Sequence, residues 1–228
     1  MTVLEAITDL RDMFGPVRNQ GQRPTCMAFA ASDTHAALRE GWQPLSCEYI
    51  FFKAQTRSGR PANVGALLPA MLAALHDDGQ PDEAGWPYMT DTSPNHESWT
   101  PPENIGLLYR RDGSAEKHAL DHIIAQLDQG VPVIILIKLS ASFYQPGSGG
   151  IIDPTADELP DNNIRHAVIA VGHGHFNAQR AVLVRNSWGQ TWGDEGYGWL
   201  TEKFILPGIF GAATLRENID VSTSSVAA

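Results

Sequence analysis

The pattern of apolar and polar positions changes near the middle of the chain. In the first half, apolar residues recur at helical spacing and predict helices over residues 26–40, 47–57 and 66–78. A fourth amphipathic segment, residues 115–129, ends at Gly130, and glycine is a common helix terminator. The first half is therefore predicted to be mainly helical.

The second half is instead made of short runs of β-branched and aromatic residues separated by glycine, asparagine and aspartate. These runs predict five strands, over residues 131–139, 166–174, 180–188, 196–201 and 208–215. Residues 80–115 are rich in proline, aspartate and serine, which is typical of an irregular connection. Helices followed by strands predict an α+β fold with segregated layers.

Composition and charge narrow the possible partners. The 228 residues carry a formal net charge of −10, which argues against nucleic acid or an anionic membrane surface as a partner. The longest apolar run, residues 131–139, is too short to span a bilayer, and the acidic N-terminal segment does not resemble a signal peptide. Two cysteines cannot form a disulfide framework, so we expect a cytoplasmic protein.

Cys26 lies where the first helix is predicted to begin, directly after Thr25, a residue type that favours the N-cap position. Free backbone N–H groups at a helix N-terminus favour the thiolate, which is the reactive form of cysteine. A buried cysteine that only packs is the alternative, because free cysteine is among the most buried residue types.

Two further segments place polar side chains within strand-like sequence. His166 begins an apolar strand, and Asn186 is followed by Ser187 and Trp188 in a glycine-rich segment. A rigid strand would hold an imidazole base opposite a cysteine, and the amide of Asn186 would accept a hydrogen bond from that ring. Taken alone, each segment is equally explained by a core histidine or by a turn with packed tryptophans.

Together, three segments resemble the papain-like cysteine peptidases, in the same order along the chain. They are GPVRNQGQRPTCMAFAA (15–31), IRHAVIAVGHG (164–174) and VLVRNSWGQTWGDEGYGWL (182–200). The similarity extends from about residue 12 to 215. It implies one domain over 1–228, with a mainly helical lobe (about 12–110), an antiparallel β-barrel-like lobe (about 111–215), an active-site cleft between them and a flexible tail (216–228).

The resemblance implies a role for each matching residue. Cys26 is the nucleophile, His166 is the general base and Asn186 orients the imidazole. Trp188 covers that hydrogen bond, and Gln20 stabilises the oxyanion together with the backbone N–H of Cys26. The implied activity is that of a cysteine endopeptidase that uses a thiolate–imidazolium pair and an acyl-thioester. Acyl transfer, a specialised amide hydrolysis and a catalytically silent binding module stay open as alternatives.

Substrate-binding positions are also implied. They are Gly65, Val64, Leu136, Ile164, Ala167 and Trp188. Val64 stands where the family has a glycine and would narrow the groove. The three positions Leu136, Ile164 and Ala167 predict a pocket for an apolar side chain, although Arg165 would instead admit an acidic one. The acidic segment 151–163 either attracts basic substrate residues or is a solvated loop.

Several positions depart from the family pattern. Arg23 replaces a cysteine that the family uses in a disulfide, and Met27 replaces a tryptophan. Few residues precede Cys26, so we expect a bacterial-like member without an inhibitory prosegment, restrained by compartment, specificity or a regulatory protein partner. No cofactor and no metal are expected, because His173 and His175 are interpreted as surface histidines and Cys47 as a packed thiol.

Overall fold

The computed structural model describes residues 4–91 and 99–218. Its helices are α1 (Cys26–Ala37), α2 (Cys47–Ser58), α3 (Leu68–Ala73), α4 (Leu120–Leu127), α5 (Ala141–Tyr144) and α6 (Glu202–Gly208). A π-helical turn, Ala74–Asp78, continues α3. The first three helices lie where the apolar spacing predicts them, so the helical character of the first half is confirmed.

Local sequence sets the ends of these helices. The Ser46 hydroxyl accepts a hydrogen bond from the Tyr49 N–H, 3.1 Å away, and so caps α2. Gly59 ends the same helix in the left-handed conformation, with φ of 62°. Pro69 falls in the first turn of α3, where its missing N–H removes no helical hydrogen bond.

Eight strands form one sheet. They are β1 (Leu4–Asp9), β2 (Arg111–Glu116), β3 (Val133–Lys138), β4 (Ile151–Ile152), β5 (Arg165–Phe176), β6 (Gln179–Arg185), β7 (Tyr197–Thr201) and β8 (Ile209–Asn218). Their order is β2-β8-β3-β5-β6-β7-β4, and β1 pairs with β5. Only the β4–β7 pairing is parallel among the described residues. The α+β class is confirmed, and the sheet stays open rather than closing into a barrel.

The sequence pattern did not predict the strands β1 and β2. The exposed strand β1 lies so close to β5 that a Cβ on Gly174 would come within 2.0 Å of the Glu5 carbonyl oxygen. Strand β2 takes residues 115 and 116 from the predicted fourth helix, which shortens α4. Part of the predicted tail, residues 216–218, continues β8, and residues 219–228 lie outside the described residues.

Helix α1 is the structural centre of the molecule, with every residue from Met27 to Ala37 buried. Alternate side chains of β5 face opposite sides of the sheet. Ala167 and Ile169 pack in the core shared with α1 and α2, whereas Val168 and Ala170 pack in a second core with α4 and α6. This packing fixes the N-terminus of α1 beside the first residues of β5. No described helix has the length and apolar character needed to cross a membrane.

Candidate active site

A cleft with a volume of about 920 Å³ separates the N-terminus of α1 from the first residues of β5. Gln20 and Cys26 line the helical wall, and His166 and Trp188 line the sheet wall. Asn186 lies directly behind His166 and is 2% exposed. Segments separated by as much as 168 residues in the sequence, the distance from Gln20 to Trp188, therefore meet at one site, as the resemblance implies.

Cys26 is the first residue of α1. Thr25 occupies the N-cap position, but its hydroxyl pairs with the Tyr88 hydroxyl at 2.8 Å instead of capping the helix. Burial raises the pKa of the Cys26 thiol, and the backbone N–H groups of Ala167, Met27 and Cys26 itself oppose that rise. The contact with Ala167 joins the sulfur to the strand that carries His166.

Asn186 holds the His166 ring from behind, on its buried side. The His166 Nε2 lies 2.7 Å from the Asn186 Oδ1, which accepts a hydrogen bond from the ring N–H. Nδ1 is therefore the basic nitrogen of the ring. Burial lowers the pKa of His166 to about 4, and the hydrogen bond to Asn186 opposes that shift. The neutral imidazole thus has a defined tautomer.

These two shifts favour the neutral thiol and the neutral imidazole, whereas the sequence predicts a thiolate–imidazolium pair. Ionising Cys26 or His166 alone is unfavourable because burial removes water from the charge. Transfer of the sulfur proton to the ring would create both charges together, and their attraction would offset part of the desolvation.

Aromatic rings surround this hydrogen bond. The Trp188 and His166 ring centroids are 4.8 Å apart, and the Phe143 ring approaches His166 edge-on at 5.7 Å. Trp188 also stacks on the half-exposed Tyr144 at 5.5 Å. The aromatic shield of His166 thus includes Phe143 and Tyr144, which the sequence analysis missed because α5 is only four residues long.

The Gln20 carboxamide has a fixed orientation. Its Oε1 accepts a hydrogen bond from the Ser187 hydroxyl at 2.6 Å, and its Nε2 donates to the Arg23 carbonyl at 2.8 Å. An amide nitrogen carries two N–H groups, so Nε2 retains a second donor. Because Gln20 lines the cleft beside Cys26, this geometry is suitable for binding a developing oxyanion.

The predicted substrate-binding residues lie in the cleft wall with one exception. Gly65, Leu136, Ile164 and Ala167 line it, whereas Val64 is not among the described lining residues. A Cβ on Gly65 would meet only the Pro24 carbonyl oxygen, at 3.9 Å, so a side chain there would project into free space. Further lining residues had no signal in the sequence, namely Arg60, Ala66, Leu67, Leu68 and Phe210.

A buried charge network connects the segments of the site. Asp33, on α1, contacts Arg18 at 2.6 Å and Arg185 at 2.8 Å. Arg18 lies two residues before Gln20, and Arg185 directly precedes Asn186. The network therefore links the helix of Cys26 to the segments of the two carboxamides, and nothing in the sequence pattern indicated it.

The segment before Cys26 is fixed by a second buried ion pair. Arg23 contacts both carboxylate oxygens of Glu48, at 2.5 and 2.9 Å, and both side chains are almost fully buried. Its guanidinium also donates to the Met89 carbonyl, and the Glu48 carboxylate accepts from the Trp99 indole. The position where the resemblance predicts a disulfide thus carries a two-point ion pair to α2.

The remaining thiol and histidines lie away from the cleft. Cys47 is free and fully buried, as predicted, and burial raises its pKa. His173 is also buried, with its Nε2 2.7 Å from the Asp128 Oδ1, so its interpretation as a surface residue was wrong. Within the described residues, no three potential ligands among histidine, cysteine, aspartate and glutamate gather at one point.

A thiol at a helix N-terminus, an imidazole across a cleft and a carboxamide behind that ring together form the type of site found in thiol-dependent hydrolases. The family model for papain family cysteine proteases matches residues 5–205. The chain therefore belongs to the papain family of cysteine proteases.

Individual relatives are distant in sequence. A cathepsin L-like proteinase of Phaedon cochleariae is 25% identical over 186 residues, which are 80% of this chain and 55% of that protein. Digestive cysteine proteinase 3 of Homarus americanus is 28% identical over 189 residues, 80% of this chain and 56% of that protein. The chain thus spans about half the length of the curated relatives it matches.

Solved structures share the fold. Xylellain, a cysteine protease from Xylella fastidiosa, matches with a TM-score of 0.74 and 22% identity, over 94% of this chain and 87% of that chain. A digestive procathepsin L 3 of the Tenebrio molitor larval midgut matches with a TM-score of 0.70 and 21% identity, over 94% of this chain and 71% of that chain. The papain-like two-lobe architecture is therefore confirmed.

Proposed function

We propose that the protein is a cysteine endopeptidase that cleaves peptide bonds through a thioester intermediate. The observation that carries the proposal is the 2.7 Å contact between His166 and Asn186, in the wall of the cleft that Cys26 also lines. That contact occupies Nε2 and leaves Nδ1 as the basic nitrogen for the proposed proton transfer. The substrate is a peptide or protein bound in extended form beside Gly65.

The proposed reaction begins with transfer of the Cys26 proton to Nδ1 of His166. The sulfur attacks the peptide carbonyl carbon, and negative charge develops on the carbonyl oxygen. The backbone N–H of Cys26 and the second Nε2 hydrogen of Gln20 bind that oxygen; removing one such donor lowers the rate by roughly 10²- to 10³-fold. Asn186 keeps the ring in place throughout the transfer.

Breakdown of this intermediate completes the first half-reaction. The carbon–nitrogen bond breaks, His166 returns its proton to the leaving amine, and the acyl group stays on the sulfur as a thioester. His166 then removes a proton from water, which attacks the thioester carbonyl. The carbon–sulfur bond breaks, the acid is released and the thiol is regenerated.

The test compares two cysteine variants on a mixed peptide library read by mass spectrometry. We expect Cys26→Ala to lose cleavage by at least about 10⁴-fold, because the nucleophile is absent. Cys47→Ala is the matched control, because this thiol is buried away from the cleft, and we expect it to retain cleavage. Unchanged cleavage after stoichiometric alkylation of Cys26 would refute the proposal.

The same assay separates the alternative functions. Acyl transfer predicts new products whose masses include an added amine, whereas the endopeptidase predicts hydrolysis products alone. A silent binding module predicts neither products nor selective labelling of Cys26 over Cys47 by iodoacetamide. The proposal requires both hydrolysis products and that selective labelling.

A further inference from the structure

The charge of the cleft is opposite to that of the whole chain. The formal net charge is −10, yet the cleft is lined by Arg23, Arg60 and Arg165. No aspartate or glutamate belongs to the lining residues in the described part of the chain. Arg23 is neutralised by Glu48, which leaves Arg60 and Arg165 as the cationic groups available to a ligand.

Arg165 is placed beside the reacting groups by strand geometry. It precedes His166 in β5, so its side chain lies on the opposite face of the strand, on the same face as Ala167. Its guanidinium carbon lies 5.4 Å from the centroid of the Phe210 ring, which also lines the cleft. Stacking on that ring holds the exposed guanidinium at the cleft wall.

No described carboxylate neutralises Arg165. Its side chain makes no ion pair in residues 4–91 and 99–218. Asp161, in the adjacent acidic segment, accepts a hydrogen bond from the Asn163 N–H instead. In the neighbouring strand, Lys138 is the direct cross-strand partner of Arg165. Like charges at such a pair are destabilising, and the Lys138 ammonium donates to the neutral Asn162 Oδ1 at 2.7 Å and not to a carboxylate.

Arg60 brings a second positive charge to the opposite wall. Its Nε donates to the carbonyl oxygen of Gly65 at 3.1 Å, which fixes the side chain beside the segment where an extended peptide would lie. Arg60 is partly exposed, and the described residues contain no carboxylate within ion-pair distance of it. A ligand in the cleft therefore has a guanidinium on each side.

We propose that the cleft selects substrates with an acidic side chain near the scissile bond, and that Arg165 is the main specificity determinant. The methylene groups of a glutamate would pack on Leu136, Ala167 and Phe210, while its carboxylate pairs with Arg165. The apolar pocket and the cation are then two parts of one subsite. This inference rests on the proposed peptidase function, because it names the substrate class of the same cleft.

The experiment uses matched peptides that carry glutamate or the isosteric, neutral glutamine at each position in turn near the cleaved bond. For the wild type, we expect kcat/KM to favour glutamate by about tenfold at one position, as one charge-assisted hydrogen bond provides. Arg165→Gln should reduce that ratio to about one, whereas Arg165→Lys should keep part of it. Arg110→Gln removes the same charge from an exposed position outside the cleft lining and should retain the wild-type ratio.

A binding measurement separates failure of this inference from failure of the proposed function. The affinity of Cys26→Ala for the same glutamate and glutamine peptides is measured by calorimetry, with and without Arg165→Gln. A preference for glutamate that disappears with Arg165→Gln supports the inference even if no peptide is cleaved. Equal affinities or equal kcat/KM for the two peptides overturn it, as does a ratio that Arg165→Gln leaves unchanged.

Discussion

At the scale of single residues, Asn186 determines which nitrogen of His166 is basic. Its Oδ1 accepts from the ring and from the Ser187 N–H, at 2.7 and 2.8 Å, so the oxygen is fully used. Its Nδ2 is buried without a hydrogen-bond partner among the described residues. Burial of such an amide is unfavourable, which indicates that the oxygen contact to the ring is the reason for an asparagine at this position.

We predict that Asn186→Ala lowers kcat by about 10²-fold, at the lower end of what general acid–base catalysis contributes. The ring loses its fixed orientation and tautomer, whereas the substrate contacts stay intact, so KM should change little. The pH dependence of Cys26 alkylation should shift as well, which a merely structural defect would not cause. Steady-state kinetics and alkylation rates measure both effects.

The matched control is Asn104→Ala, an exposed asparagine in the connection between the lobes. It should retain the wild-type kcat and the wild-type alkylation profile. If Asn186→Ala kept both as well, the proposed orientation of His166 by the carboxamide would be wrong.

Whether a residue of the site could be predicted from the sequence depends on how far its contact partners lie from it along the chain. Cys26, His166 and Asn186 were found because each lies in a long segment with a recognisable pattern. Asp33 was not, since its partner Arg185 lies 152 residues away and burial of a charge leaves no periodic signature. Arg165 was noted, but its stacking on Phe210 depends on β8, which lies two strands away from β5 in the sheet.

At the scale of elements, the ion pair between Arg23 and Glu48 joins the segment before α1 to the first turn of α2. A buried pair has a large desolvation penalty, and removing one partner leaves the other charge uncompensated. Each Glu48 oxygen accepts a further hydrogen bond, from the Met89 N–H at 3.1 Å and from the Trp99 indole at 2.6 Å, and a neutral glutamine has only one acceptor oxygen to replace them. The pair therefore acts as a non-covalent connection between the two elements.

We predict that Arg23→Met lowers the free energy of unfolding by about 3–5 kcal/mol, the range for breaking a buried ion pair. The double variant Arg23→Met, Glu48→Gln should recover part of that loss, because no unpaired charge remains, although the glutamine can accept from only one of the two N–H donors. Urea unfolding measures each value, and Arg216→Met serves as the control at an exposed ion pair. Additive losses in the double variant would contradict the coupling.

A helix or strand could be predicted from the sequence where its own residues determine its type and its ends. Helix α2 has a capping serine and a terminal glycine, and the strands β3, β5 and β6 have apolar runs rich in β-branched residues. Strand β1 is largely exposed and mixes apolar and polar residues, and Gly172 and Gly174 leave room for its backbone against β5. Such elements depend on tertiary packing, which overrides local propensity.

At the scale of the molecule, buried polar groups make stability depend on pH. His35, on the central helix α1, is fully buried, and its Nδ1 contacts the Gln80 Oε1 at 3.2 Å. Burial lowers the pKa of His35 to about 3, and the nearby charges of Arg111 and Arg39 act in the same direction. The ring is therefore neutral in the folded protein at any moderately acidic pH.

The direction of the pH effect follows from the pKa of His35 in the folded protein and in the unfolded chain. In the unfolded chain the pKa of a histidine is about 6.5, so between pH 6.5 and about 3 the unfolded state binds the extra proton. The stabilisation due to a neutral His35 is complete above pH 6.5 and is lost as pH falls through this window. Its loss amounts to at most about 1.4 kcal/mol per pH unit.

We predict that His35→Gln flattens the pH dependence of the free energy of unfolding between pH 6.5 and 4, because glutamine does not titrate. Urea unfolding at several pH values, compared with the wild type, measures the difference in slope. His118→Gln is the matched control, since this ring is exposed to water in the folded protein, and it should keep the wild-type slope. An equal slope in His35→Gln and the wild type would show that the buried ring is not the group that makes the folded protein sensitive to acid.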